Sequence, residues 1–462
     1  MHLLVINWGS VGLKLAQLLL SLSILVVLHE FGHYITAKWF KCRVEKFYLF
    51  FDPYFSLLKK KIGDTEYGIG WLPLGGYVKI AGMVDESMDR EQMKLPPKPW
   101  EFRSKPAWQR LIIMLGGVTV NIILAFIIYA GILMKWGEDK IPNASVKDGI
   151  WVTDSLMYNI GLRNGDKIVS VNGDSIKYFD DAAKKILFSG GGMIAVERNG
   201  EPRNVVIPRK FIGDLVEKKK SRTPLMLERL PAIMGEFSKD DTSNAKKAGL
   251  QHWDRIVKVD SVPVNFLDDA AIYFDSKKNG TVMLTVNRGG TLISMPVKIN
   301  EEGKINPTIL SPKEMDSLGI FKVEHTSYGF FSAFPAGARL AGQKLNEYIQ
   351  QFKLILSPST GAYKGVGGFK TMGSVFSGTQ WDWEQFWNIT AFFSIVLAFM
   401  NLLPIPGLDG GHVLFTLAEM ITGRKPSVKF LEYAQIVGFV ILIALMLYAN
   451  GNDWFGWGKG RG

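Results

Sequence analysis

Four stretches of this chain stay apolar over about the length that a helix needs to cross a bilayer, roughly 20 residues at a rise of about 1.5 Å each. They run from about Leu15 to Ala37, Leu111 to Met134, Phe386 to Leu408 and Tyr433 to Ala449. Backbone in lipid has to satisfy its own hydrogen bonds, so such segments can be little other than helices. A hydrophobic share of 47% across 462 residues agrees with a membrane-embedded portion. The first stretch reads as a retained span and not as a removed secretory leader, because no basic segment precedes it and no small-residue cleavage site follows.

The net charge of +11 admits three explanations: nucleic acid, an anionic membrane surface, or the bias of cytoplasmic loops. Position decides between them. Lys38, Lys41, Arg43 and Lys46 follow the first stretch, Arg103, Lys105 and Arg110 precede the second, and Arg424, Lys425 and Lys429 precede the fourth, whereas residues 1–13 carry none. The excess marks these segments as cytoplasmic. Both termini and the long insertion from about Trp136 to Gln385 are then expected outside, in the periplasm of a bacterium, and nucleic acid is not an expected partner. Cys42 is the single cysteine, so no internal disulfide and no cysteine-built metal site can form, and any metal must rest on His and carboxylate.

The insertion contains a repeat. Ile160 to Gly173 (IGLRNGDKIVSVNG) lies over Ala248 to Ser261 (AGLQHWDRIVKVDS), with Gly161, Leu162 and Asp166 matching Gly249, Leu250 and Asp254. Each copy predicts a turn, an alternating apolar strand, a polar turn, a short helix and a last strand pair. The pattern resembles the PDZ domain in the form found in bacterial proteases. The second copy departs from it, with Asp260-Ser261 in place of Asn172-Gly173.

Chemistry concentrates in the first apolar stretch. In HEFGH, His29 and His33 are four residues apart, which on a helix puts both imidazoles on one face, as a metal requires. Glu30 beside them suits a general base that takes a proton from water without ligating the metal itself. Ionisable groups inside a span are costly and mark a functional interior. A catalytic zinc site uses three protein ligands, so one must come from elsewhere. Asp409, in NLLPIPGLDGGH at the end of the third stretch, is the candidate, and His412 is its rival, read as a supporting residue. Pro404 and Pro406 forbid regular helix before Asp409 and predict an extended piece there. Glu30 lies eight residues before Lys38, roughly 12 Å in from the cytoplasmic flank, and Asp409 enters from the same side.

HEFGH, LPLGGYVKI (Leu72 to Ile80), the tandem repeat and NLLPIPGLDGGH occur in an order that resembles the site-2 protease family, in its bacterial regulator-of-sigma-E protease (RseP) type. The resemblance covers nearly the whole chain. It implies a multi-pass α-helical membrane protein of about four transmembrane helices, a β-hairpin-rich cytoplasmic or membrane loop, and two tandem PDZ-like α+β domains. The expected division is a membrane core at 1–135, PDZ-like domains at 136–213 and 214–310, an amphipathic linker region at 311–383 and a second core segment at 384–462. It further implies Zn2+ on His29, His33 and Asp409, Glu30 as catalytic base, and Asn401 as a contact for unwound substrate. Relatives carry a Gly-Pro pair ahead of an Asn in the second span; GGVTVN (Gly116 to Asn121) keeps the glycine and the Asn without the proline.

Residues from about Val44 to Ala81 mix aromatic and alternating stretches with glycine turns, which predicts β-hairpins. By the resemblance, this loop dips into the membrane and pairs with substrate by strand addition. Phe330 to Leu356 predicts an amphipathic helix, either lying on the outer surface or packed under the repeated domains. The expected activity is hydrolysis of a peptide bond within the transmembrane segment of a single-span protein, such as an anti-sigma factor or a remnant signal peptide, in the bacterial inner membrane. The PDZ-like pair would gate access and contact substrate tails or regulators. The alternatives are a non-catalytic PDZ membrane adaptor and, more remotely, a metal transporter.

Overall fold

The computed structural model describes residues 7–73, 75–83, 95–218, 224–238, 241–306 and 308–457. Leu74 of LPLGGYVKI, the first six residues and the last five lie outside them. The chain forms two compact units, one of residues 1–137, 327–353 and 364–462, the other of residues 138–326 and 354–363.

Among the described residues of the first unit, four helices are long and apolar enough to cross a membrane: Trp8–Trp39, Ala107–Trp136, Trp383–Leu402 and Val428–Phe455. Three of the four begin at a side-chain cap. Asn7 accepts from Ser10 N at 3.1 Å, Asp382 from Gln385 N at 3.0 Å and Ser427 from Phe430 N at 3.2 Å. Two buried hydroxyls bond between helices: Thr390 Oγ1 donates to Ser21 Oγ at 3.0 Å, and Ser394 Oγ to the Asn121 carbonyl at 2.7 Å. Such bonds tie the third helix to the first and to the second where apolar burial cannot discriminate partners. Gly32 and Gly116 let the first two helices touch, since a Cβ on Gly32 would collide with the Gly116 carbonyl.

The third apolar stretch does not reach Leu408 as a helix. Its helix stops at Leu402, because Pro404 and Pro406 lack the amide donor and push Leu403 to an extended ψ of 141°. Residues 403–408 then make a tight turn and not the extended piece the prolines predicted, with Ile405 N donating to Leu403 O at 2.7 Å and Leu408 N to Ile405 O at 3.1 Å. A separate helix, Asp409–Thr422, begins at the aspartate itself.

Between the first two helices lies a four-stranded sheet of β1 (Val44–Leu49), β2 (Phe51–Ile62), β3 (Thr65–Leu72) and β4 (Tyr77–Ile80), in the order β2-β3-β1-β4. β2 and β3 form the hairpin expected of this region, turning at Gly63 with φ of 62°. β1 pairs parallel to β3 and antiparallel to β4, which leaves β4 as an edge. The helix Phe330–Ile355 buries its small residues Ala333, Ala336, Gly337 and Ala341, and a Cβ on Gly337 would lie 2.6 Å from Ala130 N of the second apolar helix.

The second unit repeats one arrangement. Strand Lys167–Val171 sits between Asp174–Ser175 and the hairpin Gly192–Arg198/Glu201–Ile207; strand Arg255–Val259 sits likewise between Val262–Pro263 and Thr281–Arg288/Thr291–Lys298. Each copy has its own apolar core. The change from Asn172 to Asp260 is conservative in space: φ is 53° and 51°, and each side chain accepts from a strand amide, Met193 N or Met283 N, at 2.8 Å.

Candidate metal centre

Spacing of four on the first helix brings His29 and His33 to one face, and both are buried, at 7% and 5% exposure. Their rings meet edge to face with centroids 4.9 Å apart. Asp409, opening its own helix, projects its carboxylate between them. Its Oδ2 lies 3.2 Å from His29 Nε2 and 3.2 Å from His33 Nε2, and the two Nε2 atoms are 3.3 Å apart. A tetrahedral zinc with ligand bonds of about 2.0–2.1 Å has ligand-to-ligand edges of about 3.3–3.4 Å. The observed triangle matches one face of that tetrahedron, so the donor set fits zinc in both chemistry and dimension. Among the described residues, these three form the group able to hold a metal.

The second apolar helix supports this face. The Ile113 carbonyl accepts the His33 Nδ1 proton at 2.8 Å, so that Nε2 is the nitrogen turned toward Asp409. A Cβ on Gly117 would come within 2.6 Å of His29 Cε1, so the imidazoles can occupy this place only opposite glycine. Arg110 Nη2 donates to Glu419 Oε1 at 2.5 Å, with both side chains nearly buried, which ties the second helix to the helix headed by Asp409. Gly438 of the fourth helix is where the Pro406 carbonyl packs, a place a Cβ would fill.

Asn401, in the last turn of the third helix, stands with Nδ2 3.2 Å from His29 Nε2. Glu30 lines the same cavity of about 810 Å³, as do Tyr77, Val78 and Lys79 of β4. Gly76 allows that approach, since a Cβ there would lie 2.9 Å from Val26 Cγ1 and 3.7 Å from Glu30 Cγ. His412 lines the cavity but is not one of the three converging donors. The candidate site residues read from the sequence, His29, Glu30, His33, Asn401, Asp409 and His412, line one cavity. Gly76 and Gly117 lie within the motifs LPLGGYVKI and GGVTVN, but no sequence pattern showed what they face, and the Arg110–Glu419 pair joins residues 309 apart.

Residues 17–445 match the sequence model of peptidase family M50. The chain belongs to that family, the site-2 proteases. This M50 peptidase is 28% identical over 449 residues to a Rickettsia conorii protein named "Putative zinc metalloprotease", covering 96% of this chain and 98% of the relative. Proteins of the same name from Campylobacter jejuni and Borreliella burgdorferi are each 26% identical, over 98% and 94% of this chain and 96% of each relative. The M50 peptidase is thus a zinc metalloprotease of a membrane family, and its His29, His33 and Asp409 form a group that fits the metal.

Proposed function

We propose that this enzyme cuts a peptide bond within the transmembrane segment of a single-span protein, with His29, His33 and Asp409 holding zinc and Glu30 acting as general base. The observation that carries the reading is the convergence of two imidazoles and a distant carboxylate on one point, walled by helices of bilayer-crossing length. Zinc held there supplies Lewis acidity to the scissile carbonyl and to a water molecule. Glu30, one residue from a ligand and facing the cavity, takes the proton of the attacking water and passes it to the leaving amine. Asn401 binds the substrate backbone beside His29.

A transmembrane helix keeps its amides in internal hydrogen bonds, so substrate has to unwind before it can be cut. The edge strand β4 along the cavity supports pairing with the unwound segment by strand addition. Lys and Arg flanking the apolar helices support an orientation with the β-sheet segment cytoplasmic and both termini periplasmic, in a bacterial inner membrane. The repeated modules, read as PDZ-like domains at 136–213 and 214–310, stand outside and gate access for substrates already trimmed there, contacting their tails. An anti-sigma factor or a remnant signal peptide is the class of substrate intended.

Glu30→Gln tests the assignment. Cleavage of a single-span substrate should fall by about 10²- to 10⁴-fold while zinc stays bound. Undiminished cleavage refutes the role of Glu30, and fragments cut outside the apolar segment refute the intramembrane reading.

A further inference from the structure

Asn121 is wholly buried in the middle of the second apolar helix, and nothing in the proposed chemistry uses it. Its backbone carbonyl accepts from Ser394 Oγ at 2.7 Å, which fixes the helix at that level. Its carboxamide is directed at the metal ligand from behind: Nδ2 stands 3.1 Å from His29 Nδ1, while Oδ1, also buried, has no hydrogen-bond partner among the described residues. No other group therefore dictates which end of the carboxamide faces the imidazole.

His33 shows what this helix does for the neighbouring ligand. There, Nδ1 faces a backbone carbonyl, an acceptor only, so the proton sits on Nδ1 and Nε2 keeps the lone pair. His29 lies four residues earlier on the first helix, and Asn121 lies eight residues after Ile113 on the second. The carboxamide occupies the position that the carbonyl holds behind His33. For Nε2 of His29 to present its lone pair beside Asp409, Nδ1 must carry the proton, and the group 3.1 Å behind it must accept. A half turn of the carboxamide about its Cβ–Cγ bond exchanges the two ends and brings Oδ1 to that place.

We propose that Asn121 is a positioning residue that selects the Nδ1-protonated tautomer of His29, its Oδ1 accepting that proton so that Nε2 is free to ligate. The inference rests on the reading of His29, His33 and Asp409 as zinc ligands. It assigns one chemical task, acceptance of one proton, to the only part of the carboxamide that can perform it. Groups behind ligating histidines orient the ring and strengthen its donor atom, and their loss typically weakens metal binding about 10- to 100-fold.

The test uses the full-length enzyme in detergent, with zinc affinity measured by chelator competition. Asn121→Leu keeps the volume and removes the acceptor; Asn121→Asp keeps the acceptor. The expected result is an affinity about 10- to 100-fold weaker for Asn121→Leu and within about threefold of wild type, or tighter, for Asn121→Asp. Nitrogen-15 spectra of the histidine-labelled wild-type enzyme, assigned by loss of the signal in His29→Gln, should show the proton of His29 on Nδ1. Equal weakening by both substitutions indicates packing alone and overturns the proposal, as does an unprotonated Nδ1 in wild type, a readout that stands even if Asn121→Leu does not fold. Wild-type enzyme that binds no stoichiometric zinc would overturn the metal reading as well, so the two failures are distinguishable.

Discussion

The buried aspartates of the repeated modules and Asp409 of the membrane unit are satisfied in opposite ways. In each repeated module the aspartate is enclosed by local donors: Asp166 accepts from Arg198 Nε at 2.6 Å, Arg198 Nη2 at 2.8 Å and Arg163 N at 2.8 Å, and Asp254 is held likewise by Arg288 and Gln251 N. Charge and hydrogen bonding close within about one module, and the same guanidinium reaches a loop carbonyl, Gly161 O or Gly249 O. Asp409 instead meets the Nε2 atoms of two imidazoles from residues 376 and 380 positions away, each at 3.2 Å. The first arrangement is complete without a ligand. The second brings together three side chains that can each ligate a metal ion, with no guanidinium closing the pair.

The sharpest way to break this contrast is to remove the carboxylate at the site. Asp409→Ala should reduce bound zinc from one per chain to nearly none by elemental analysis, while hydrogen exchange in the repeated modules stays unchanged. Loss of module protection in that variant would show that the two regions are not independent. Conversely, Arg288→Met leaves Asp254 buried without its counter-charge, and should destabilise the second module by about 3–5 kcal/mol with zinc content intact. Exchange rates across residues 255–259 measure it, and wild-type protection there would mean that Asp254 does not need the guanidinium.

Gly117→Ala is the subtler probe of the site, since it adds one methyl group against His29 and His33 without replacing either side chain. Chelator competition should show zinc held about 10- to 100-fold more weakly. An unaltered affinity would mean that the two helices yield enough to admit a Cβ.

The smallest effect expected is one of pH at the modules' surface. Hydrogen bonds from the Ser311 hydroxyl and amide, with His252 alongside, hold the Glu314 carboxyl below its ordinary value. A carboxyl lowered on folding stabilises above its unfolded pKa, about 4.3, and that contribution disappears as pH falls through the lower folded value. Protection of the short helix Pro312–Ser317 should therefore weaken only in acid below about pH 4, and Glu314→Gln should abolish the dependence. A dependence that persists in Glu314→Gln would show that this carboxyl does not carry it.

Much of the site could be read before any coordinates, because its chemistry is written in local patterns. A pair of histidines at helical spacing inside an apolar stretch, and an aspartate after a proline-broken one, are each costly in lipid and each legible within a dozen residues. The repeat was legible for the same reason, since its alternating strands and turns recur at a fixed offset of 88, as from Gly161 to Gly249. Less legible was the shape of the turn before Asp409. Proline excludes helix but does not choose between extended chain and tight turn; packing of Pro406 against Gly438 accompanies the turn found here.

The sequence by itself determined the apolar helices, the candidate donors and the membership of the repeat, because period, charge and hydrogen-bonding capacity belong to residues and their near neighbours. Only the tertiary structure decided that Oδ2 of Asp409 stands 3.2 Å from both imidazoles, that Gly117 makes room for them and that Asn121 stands behind His29. Each of these joins segments far apart in the chain. Close packing between helices sets such distances to within fractions of an ångström, and no local pattern encodes them.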